Sequence, residues 1–402
     1  MNGFSPGMRA VSSRGRTVPG MNRIVAALIA ALGILAAPPA ASAELPVVRI
    51  AAAPGAIPDE PKVDTRMRMP GYRGRIGIER RGQSSQMFPK KSYALELRRD
   101  AALLGMPADD DWVLYAPYND KTLMRNVVAY RAAGLFGRYA ARTRFVKLHL
   151  DGRYHGVYVL MERLELGDDR VAGEALFEFT FPFQAASKDP SFLTPVKRRP
   201  IVWEDPERGD LTRARAQRLA RPVRAAERAL YGPGSWRRRI HEGSAVDFAL
   251  LNELFKNQDA FHASTYMTLH EDGRLRLGPL WDFDISMGNS DYGPSRRLRG
   301  WMLAQRDWAE RLYADERFTD RMARRWRELR RDGLGRRLRA IVTRAERRLR
   351  GEVVSNFRRW PVLDRRIWPN PVARGSYRAE LRFLRSWLNR RMAWIDRNVG
   401  RL

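Results

Sequence analysis

Apolar and polar positions change their spacing part-way along the chain. Val47-Val48-Arg49-Ile50 and Tyr72–Ile78 mix β-branched, aromatic and charged residues between Pro and Gly breaks, and Ser92–Leu97 alternates with period two. These segments predict strands. An acidic turn, Asp109-Asp110-Asp111, is expected before Trp112. Beyond Asn119, whose side chain suits a helix cap, Leu123, Val127, Tyr130 and Gly134 recur on one helical stripe. Strands resume at Phe145–Leu150 and Gly156–Met161, joined by the turn dipeptide Asp151-Gly152.

Residues 185–243 carry the weakest pattern, and their Pro, Lys and Arg content predicts an insertion around one helix near 210–230. A better-defined helix begins near Ser244, with Asp247 three residues on, and buries Val246, Leu250 and Leu254. Two strands flank the turn Glu271-Asp272-Gly273. From Trp301 onward the chain reads as arginine-rich helix, with Trp308, Trp326, Trp360, Trp368, Trp387 and Trp394 as packing anchors. The expected class is α+β, strand-rich in its N-terminal half and helix-rich in its C-terminal half. Its expected parts are a first segment to about residue 165, the insertion, a segment 244–300 and a helical region 301–402.

Charge changes this picture. The 402 residues hold 74 Lys and Arg against 45 Asp and Glu, a formal net charge of +29, mostly from arginine. A basic field of this size attracts nucleic acid, anionic head groups, acidic glycans or nucleotide phosphates without choosing among them. Arginine of this abundance also follows from the codon usage of a G+C-rich genome. Residues 1–43 read as a signal peptide: Arg9, Arg14, Arg16 and Arg23 precede an apolar run, Ile24–Ala36, and the small-x-small site Ala41-Ser42-Ala43. The run is shorter than the 20 or so residues a bilayer span needs, and no later segment is long and apolar enough. The expected location is therefore periplasmic or extracellular. The absence of cysteine excludes disulfides, a Cys nucleophile, a Cys zinc site and lipid attachment at a lipobox.

Two segments carry candidate chemistry. In Arg81-Gly82-Gln83-Ser84-Ser85-Gln86-Met87-Phe88-Pro89-Lys90-Lys91, small residues admit close backbone approach, and hydroxyls, amides and lysines suit phosphate oxygens. The same pattern also describes a surface hairpin. In the second segment, Asn257-Gln258-Asp259 ends a helix and Trp281-Asp282-Phe283-Asp284 places two carboxylates two residues apart. If extended, that stretch turns both to one face, where a hard cation such as Mg²⁺ would find oxygen ligands. The alternative is a pair of capping or turn aspartates paired with arginines. His149, His155, His241, His262 and His270 show no metal-ligand spacing.

Taken in order, these motifs resemble the CotH (spore coat protein H) kinase family. The resemblance rests on Arg81-Gly-x-Ser-Ser, Phe88-Pro-Lys-Lys-Ser-Tyr93, the acidic run into Trp112-Val113-Leu114, Asp120–Asn126, Gly152–Tyr158 with Glu162, Asn257-Gln258-Asp259 and Trp281–Asp284. It implies a degenerate two-lobed protein-kinase-like fold that transfers the γ-phosphoryl of ATP to Ser or Thr of secreted or envelope proteins. It further implies that Arg81, Gly82, Ser84 and Ser85 cover the nucleotide phosphates and that Lys90 or Lys91 contacts them. Glu162 would follow the strand into the hinge, Asp259 would orient the acceptor hydroxyl, and Asp282 and Asp284 would hold Mg²⁺ or Mn²⁺. One departure stands out: Asp259 is followed by Ala-Phe-His-Ala-Ser264-Thr265, without the Asn that kinases use for a second metal. Ser264 as a weak ligand, a single-metal site and loss of activity are all consistent with it. In the last case the chain would be a binding or assembly module that recognises acidic partners.

Overall fold

The structure is a computed structural model that describes Met1 and residues 44–182, 185 and 190–402. The expected signal peptide lies outside the described residues. Seven strands close into a barrel in the order β1-β2-β3-β4-β5-β7-β6: β1 (Val47–Ile50), β2 (Val63–Met69), β3 (Tyr72–Arg81), β4 (Ser92–Ala102), β5 (Ala108–Tyr115), β6 (Thr143–Leu150) and β7 (Arg153–Glu162). Neighbours are antiparallel except at the closing seam, where β1 runs parallel to β6 and Arg49 faces His149. Period-two patterning places Ile76 and Ile78, Leu95 and Leu97, Trp112 and Leu114, and Val146, Leu148 and Leu150 in one core inside the barrel. The other face of β5–β7, with Val113, Tyr115, Phe145, Val157, Val159 and Met161, belongs to a second, larger core.

That second core is organised by α1 (Arg125–Leu135) and by a five-stranded sheet of order β12-β11-β8-β10-β9. Its strands are β8 (Ala175–Phe179), β9 (Ser191–Leu193), β10 (Pro200–Asp205), β11 (Thr265–Leu269) and β12 (Leu275–Leu277). Helices α2 (Arg213–Tyr231), α3 (Glu242–Phe255), α4 (Asp307–Tyr313), α5 (Glu316–Arg331), α6 (Leu334–Leu349), α7 (Val353–Arg359) and α8 (Tyr377–Asn398) complete the chain. The mixed α+β organisation, strands first and helices after, is as expected.

Several local expectations change. Asp109–Asp111 lie within β5 rather than in a turn, because Asp111 pairs with Glu96 across the ladder and accepts the guanidinium of Arg163 at 2.5 Å. Asn119 does not cap α1. Asp120 does the work instead, accepting from the Arg125 amide at 2.7 Å and the Thr122 amide at 3.0 Å. Within the expected insertion, β10 sits between β8 and β9, and α2 buries Leu219, Val223 and Leu230 in the second core. α3 begins two residues early, its first turn capped by the His241 ring nitrogen accepting from the Ser244 amide. Trp308, Trp326, Trp360 and Trp387 are buried as expected, whereas Trp368 is 45% exposed.

Candidate active site

A cavity of about 1680 Å³ opens where the barrel meets the second core. One wall is the end of β3 and the loop after it. Gly82 stands at φ +94°, and a Cβ there would meet Ser85 Oγ at 2.1 Å, so the turn is available only to glycine as the loop stands. Ser84–Met87 then coil into one turn of 3-10 helix, tied by Gln86 Nε2 donating to Gly82 O at 2.8 Å. Arg81, Gly82, Ser84 and Ser85 all line the cavity, and Arg81 lies over the Trp281 ring at 5.4 Å from its centroid.

The opposite wall carries three carboxylates. Asp259 follows α3 in a loop whose backbone is held from outside by two arginines. Arg306 Nη1 donates to Gln258 O at 2.5 Å and Ala260 O at 3.2 Å, and Arg199 Nη2 donates to Phe261 O and His262 O. Lys256, Phe261 and Ser264 all have positive φ in this stretch. Such strain in non-glycine residues persists only where surroundings over-determine the fold, and it gathers at functional sites. Asp282 and Asp284 follow β12, but not as a strand: Asp282 is left-handed at φ +57°. The two side chains nonetheless lie close enough to perturb each other's charge. They converge through a turn rather than through period-two extension.

α1 and the segment before it fix this turn. Asn126 Oδ1 accepts from the Phe283 amide at 2.7 Å, and the Tyr130 hydroxyl accepts from the Asp282 amide at 3.1 Å. The Tyr115 hydroxyl donates to Asp284 Oδ2 at 3.3 Å, and Asn289 Nδ2 donates to Asp284 O and Asn119 O. Asn126 and Asn119 lie in or beside the Asp120–Asn126 motif, so the motif was legible while these roles were not. Tyr130 gave no signal beyond its place on the helical stripe, and Tyr115 gave none.

The carboxylates perturb one another. Burial, then Asp284, raises Asp259 to about 7, while Arg306 draws it down. Burial, then Asp284 and Asp259, raises Asp282 well above the usual carboxylate range, with Arg81 opposing. Asp284 is raised by burial and lowered by the Asn119 amide, Asp282 and the Tyr115 hydroxyl. Crowded, desolvated carboxylates of this kind favour a compensating cation. Among the described residues no three Asp, Glu, His or Cys side chains converge into a complete metal cage. An Asp282–Asp284 pair suits Mg²⁺, which keeps much of its shell as water and phosphate oxygens.

Other expected residues lie elsewhere. Lys90 is 2% exposed; its ammonium donates to Val157 O at 2.6 Å and Asn356 Oδ1 at 3.2 Å, and it does not line the cavity. Lys91 Nζ donates to Gln86 O within the loop. Glu162 is buried on the far side of β7, accepting from Tyr139 Oη, the Arg142 amide and the Arg142 guanidinium; its neighbour Met161 lines the cavity. Ser264 does reach the cavity wall.

The family model described as CotH kinase protein matches residues 78–395. The chain belongs to the CotH kinase family. That span takes in both walls of the cavity and the helices behind them. No curated protein matches the chain. Among solved structures, a Shewanella oneidensis toxin–antitoxin complex of HipA, HipB and operator DNA is similar at 14% identity and a TM-score of 0.29, over 81% of this chain. The match spans 64% of that other chain, and at this score it carries no argument about mechanism. Among the described residues, no helix of this CotH-family chain is long and apolar enough to cross a membrane.

Proposed function

We propose that this CotH-family chain is an exported protein kinase of degenerate two-lobed design, moving the γ-phosphoryl of ATP to Ser or Thr hydroxyls of secreted or envelope proteins. The observation that carries the reading is that Asp259, Asp282 and Asp284 line the same cavity as the Arg81–Ser85 loop. Phosphoryl transfer needs positioning and charge neutralisation rather than a covalent nucleophile, and this arrangement supplies both. Asp282 and Asp284 would hold Mg²⁺ or Mn²⁺, which neutralises phosphate charge when bound. Arg81 adds a fixed cation, Gly82 allows the backbone to approach, and Ser84 and Ser85 donate hydroxyls to phosphate oxygens. Asp259 orients the acceptor hydroxyl and accepts its proton as the new O–P bond forms. Lys90 and Lys91 enter this reading by bracing the loop.

The test is phosphate transfer from labelled ATP with Mg²⁺ or Mn²⁺, comparing residues 44–402 with Asp259→Ala and Asp282→Ala. Labelling present in the parent and lost in both variants supports the kinase. Silence in all three, with no metal-dependent nucleotide binding by calorimetry, leaves an inactive module instead.

One observation favours a second property, binding of acidic polymers. Arg131 on α1, Arg144 on β6 and Arg344 on α6 crowd together; burial and the other two guanidiniums lower Arg131. None of the three forms an ion pair among the described residues, although Glu162 acts on Arg144, whose guanidinium donates to Leu104 O and Thr143 O. A polyanion would relieve that repulsion, and its affinity would fall steeply with salt as counterions are released. Loss of heparin retention in Arg131→Ala/Arg344→Ala, with the parent retained at low salt, checks this; equal retention rejects it.

A further inference from the structure

The short helix α7 lies outside the cavity, yet its side chains connect to the loop that lines it. α7 packs on β7. There Gly156 adopts φ +103°, and a Cβ would approach Asn356 Oδ1 to 2.7 Å. The absence of a side chain at Gly156 lets Asn356 reach the backbone. Its Oδ1 accepts from the Val157 amide at 3.0 Å and from the Lys90 ammonium at 3.2 Å. One residue on, Lys91 O accepts from the Tyr158 hydroxyl at 3.0 Å, while Lys91 Nζ donates to Gln86 O. Gln86 in turn holds Gly82 O. A continuous chain of hydrogen bonds and adjacent residues therefore runs from α7 to Gly82.

A parallel route is aromatic. Trp360, just past α7, donates Nε1 to His155 O at 2.7 Å and meets the Tyr118 ring edge-on at 5.9 Å between centroids. Tyr118 packs on Phe88 at 5.2 Å, and Phe88 lines the cavity. Both routes begin inside the arginine-rich C-terminal region, four residues apart, and end on the same loop.

We infer that α7 is a clamp on the Arg81–Lys91 loop, with Asn356 as its positioning residue. The consequence for nucleotide affinity rests on the kinase reading above; the clamp itself does not. Asn356 is 2% exposed, so replacing its amide by an apolar side chain leaves a buried N–H and a buried ammonium short of an acceptor. The loop then loses its outer anchor while the barrel ladders remain.

The experiment is amide exchange on the nucleotide-free chain. The reporters are the Gln86 and Phe88 amides, which bond to Gln83 O and Ser85 O at 3.1 Å each. In Asn356→Leu both should exchange at least tenfold faster than in the parent, while the Leu95 and Leu114 amides inside the barrel ladder keep their protection. In Asn356→Asp, whose carboxylate still accepts from both donors, exchange should return to within about twofold of the parent. Unchanged loop exchange in Asn356→Leu overturns the clamp. Should Asn356→Leu lose protection throughout, Trp360→Phe decides the matter: it removes the indole N–H bond to His155 O and trims the ring that meets Tyr118 while leaving Asn356 in place, and a loop-confined rise of about threefold is expected, none overturning the proposal. Calorimetry with Mg²⁺-ATP then reads the consequence: affinity about tenfold weaker in Asn356→Leu and restored in Asn356→Asp. A parent that binds no nucleotide, with the exchange pattern intact, defeats the kinase reading and leaves the clamp standing.

Discussion

Lys90 offers the most quantitative prediction, because its environment assigns it a role that phosphate contact would contradict. Its ammonium is buried over the Tyr158 ring at 4.9 Å, with a carbonyl and an amide oxygen as acceptors and no carboxylate in ion-pair distance among the described residues. Burial alone lowers its pKa to about 7. An unfolded lysine titrates near 10.4. Between those values the unfolded chain holds a proton that the folded chain has shed, so stability rises with pH. The desolvation cost is fully present below about pH 7 and fades above it. With about 1.4 kcal/mol per pH unit once the folded group is neutral, the gain between pH 7 and 9 is about 2 kcal/mol. Lys90→Met lacks the titrating group and lacks that gain, and all other pH effects cancel in the comparison. Urea melts of both proteins at pH 6, 7, 8 and 9 supply the measurement. The parent-minus-variant stability should be flat from pH 6 to 7 and climb by about 2 kcal/mol by pH 9. A difference that stays level across the range, or that falls, would mean a charged and compensated Lys90 and would refute the reasoning.

Other outcomes follow from particular contacts. Gly82→Ala should weaken Mg²⁺-ATP binding about tenfold with little change in Tm, since the left-handed turn costs an alanine about 1–2 kcal/mol and displaces Ser85; unchanged affinity in calorimetry counts against the loop as a phosphate site. Arg391→Met should destabilise the fold by about 3–5 kcal/mol, because it strands Glu253, whose fully buried carboxylate pairs with Arg391 at 2.9 Å. A loss under 1 kcal/mol in urea melts would show that the Met302 and Leu303 amides satisfy Glu253 by themselves. Mg²⁺ should raise the Tm of the parent and leave Asp282→Asn/Asp284→Asn unmoved, and the double variant should be the more stable of the two without metal, having lost the carboxylate repulsion. Equal shifts in both proteins would place the cation elsewhere.

The barrel was legible where one face of each strand is buried. Ser92–Leu97 announced itself because Tyr93, Leu95 and Leu97 point inward. β2 escaped notice because Val63-Asp64-Thr65-Arg66-Met67-Arg68-Met69 carries its exposed charges at the barrel surface and only Met67 and Met69 are buried. The cap of α1 was misplaced for a physical reason too: Asn119 and Asp120 both suit a cap, and only tertiary contact turns the Asn119 side chain toward Asp284. At the candidate site, the resemblance singled out Arg81–Ser85, Asp259, Asp282 and Asp284, and all of them line one cavity. The lysines were not resolvable by sequence, because Phe88-Pro-Lys-Lys carries no sign of where either ammonium points. Asn356 lies 266 positions from Lys90, and no local pattern links them.

The parallel seam between β1 and β6 sets the order in which the molecule can be made. Val47 finds its partner in Lys147, a hundred residues downstream, and β1 meets β2 only through Arg49–Arg68 and Ile50–Met67. A chain interrupted anywhere before β7 is made is left with an open sheet whose two outer strands each lack one neighbour, and open edges invite pairing with other chains. Closure also demands a long loop before any contact repays its entropy, which makes it slow relative to hairpin formation. The hairpins β2–β3, β3–β4 and β6–β7 are local and can form early; the barrel they compose is completed only when the first strand and the sixth come together.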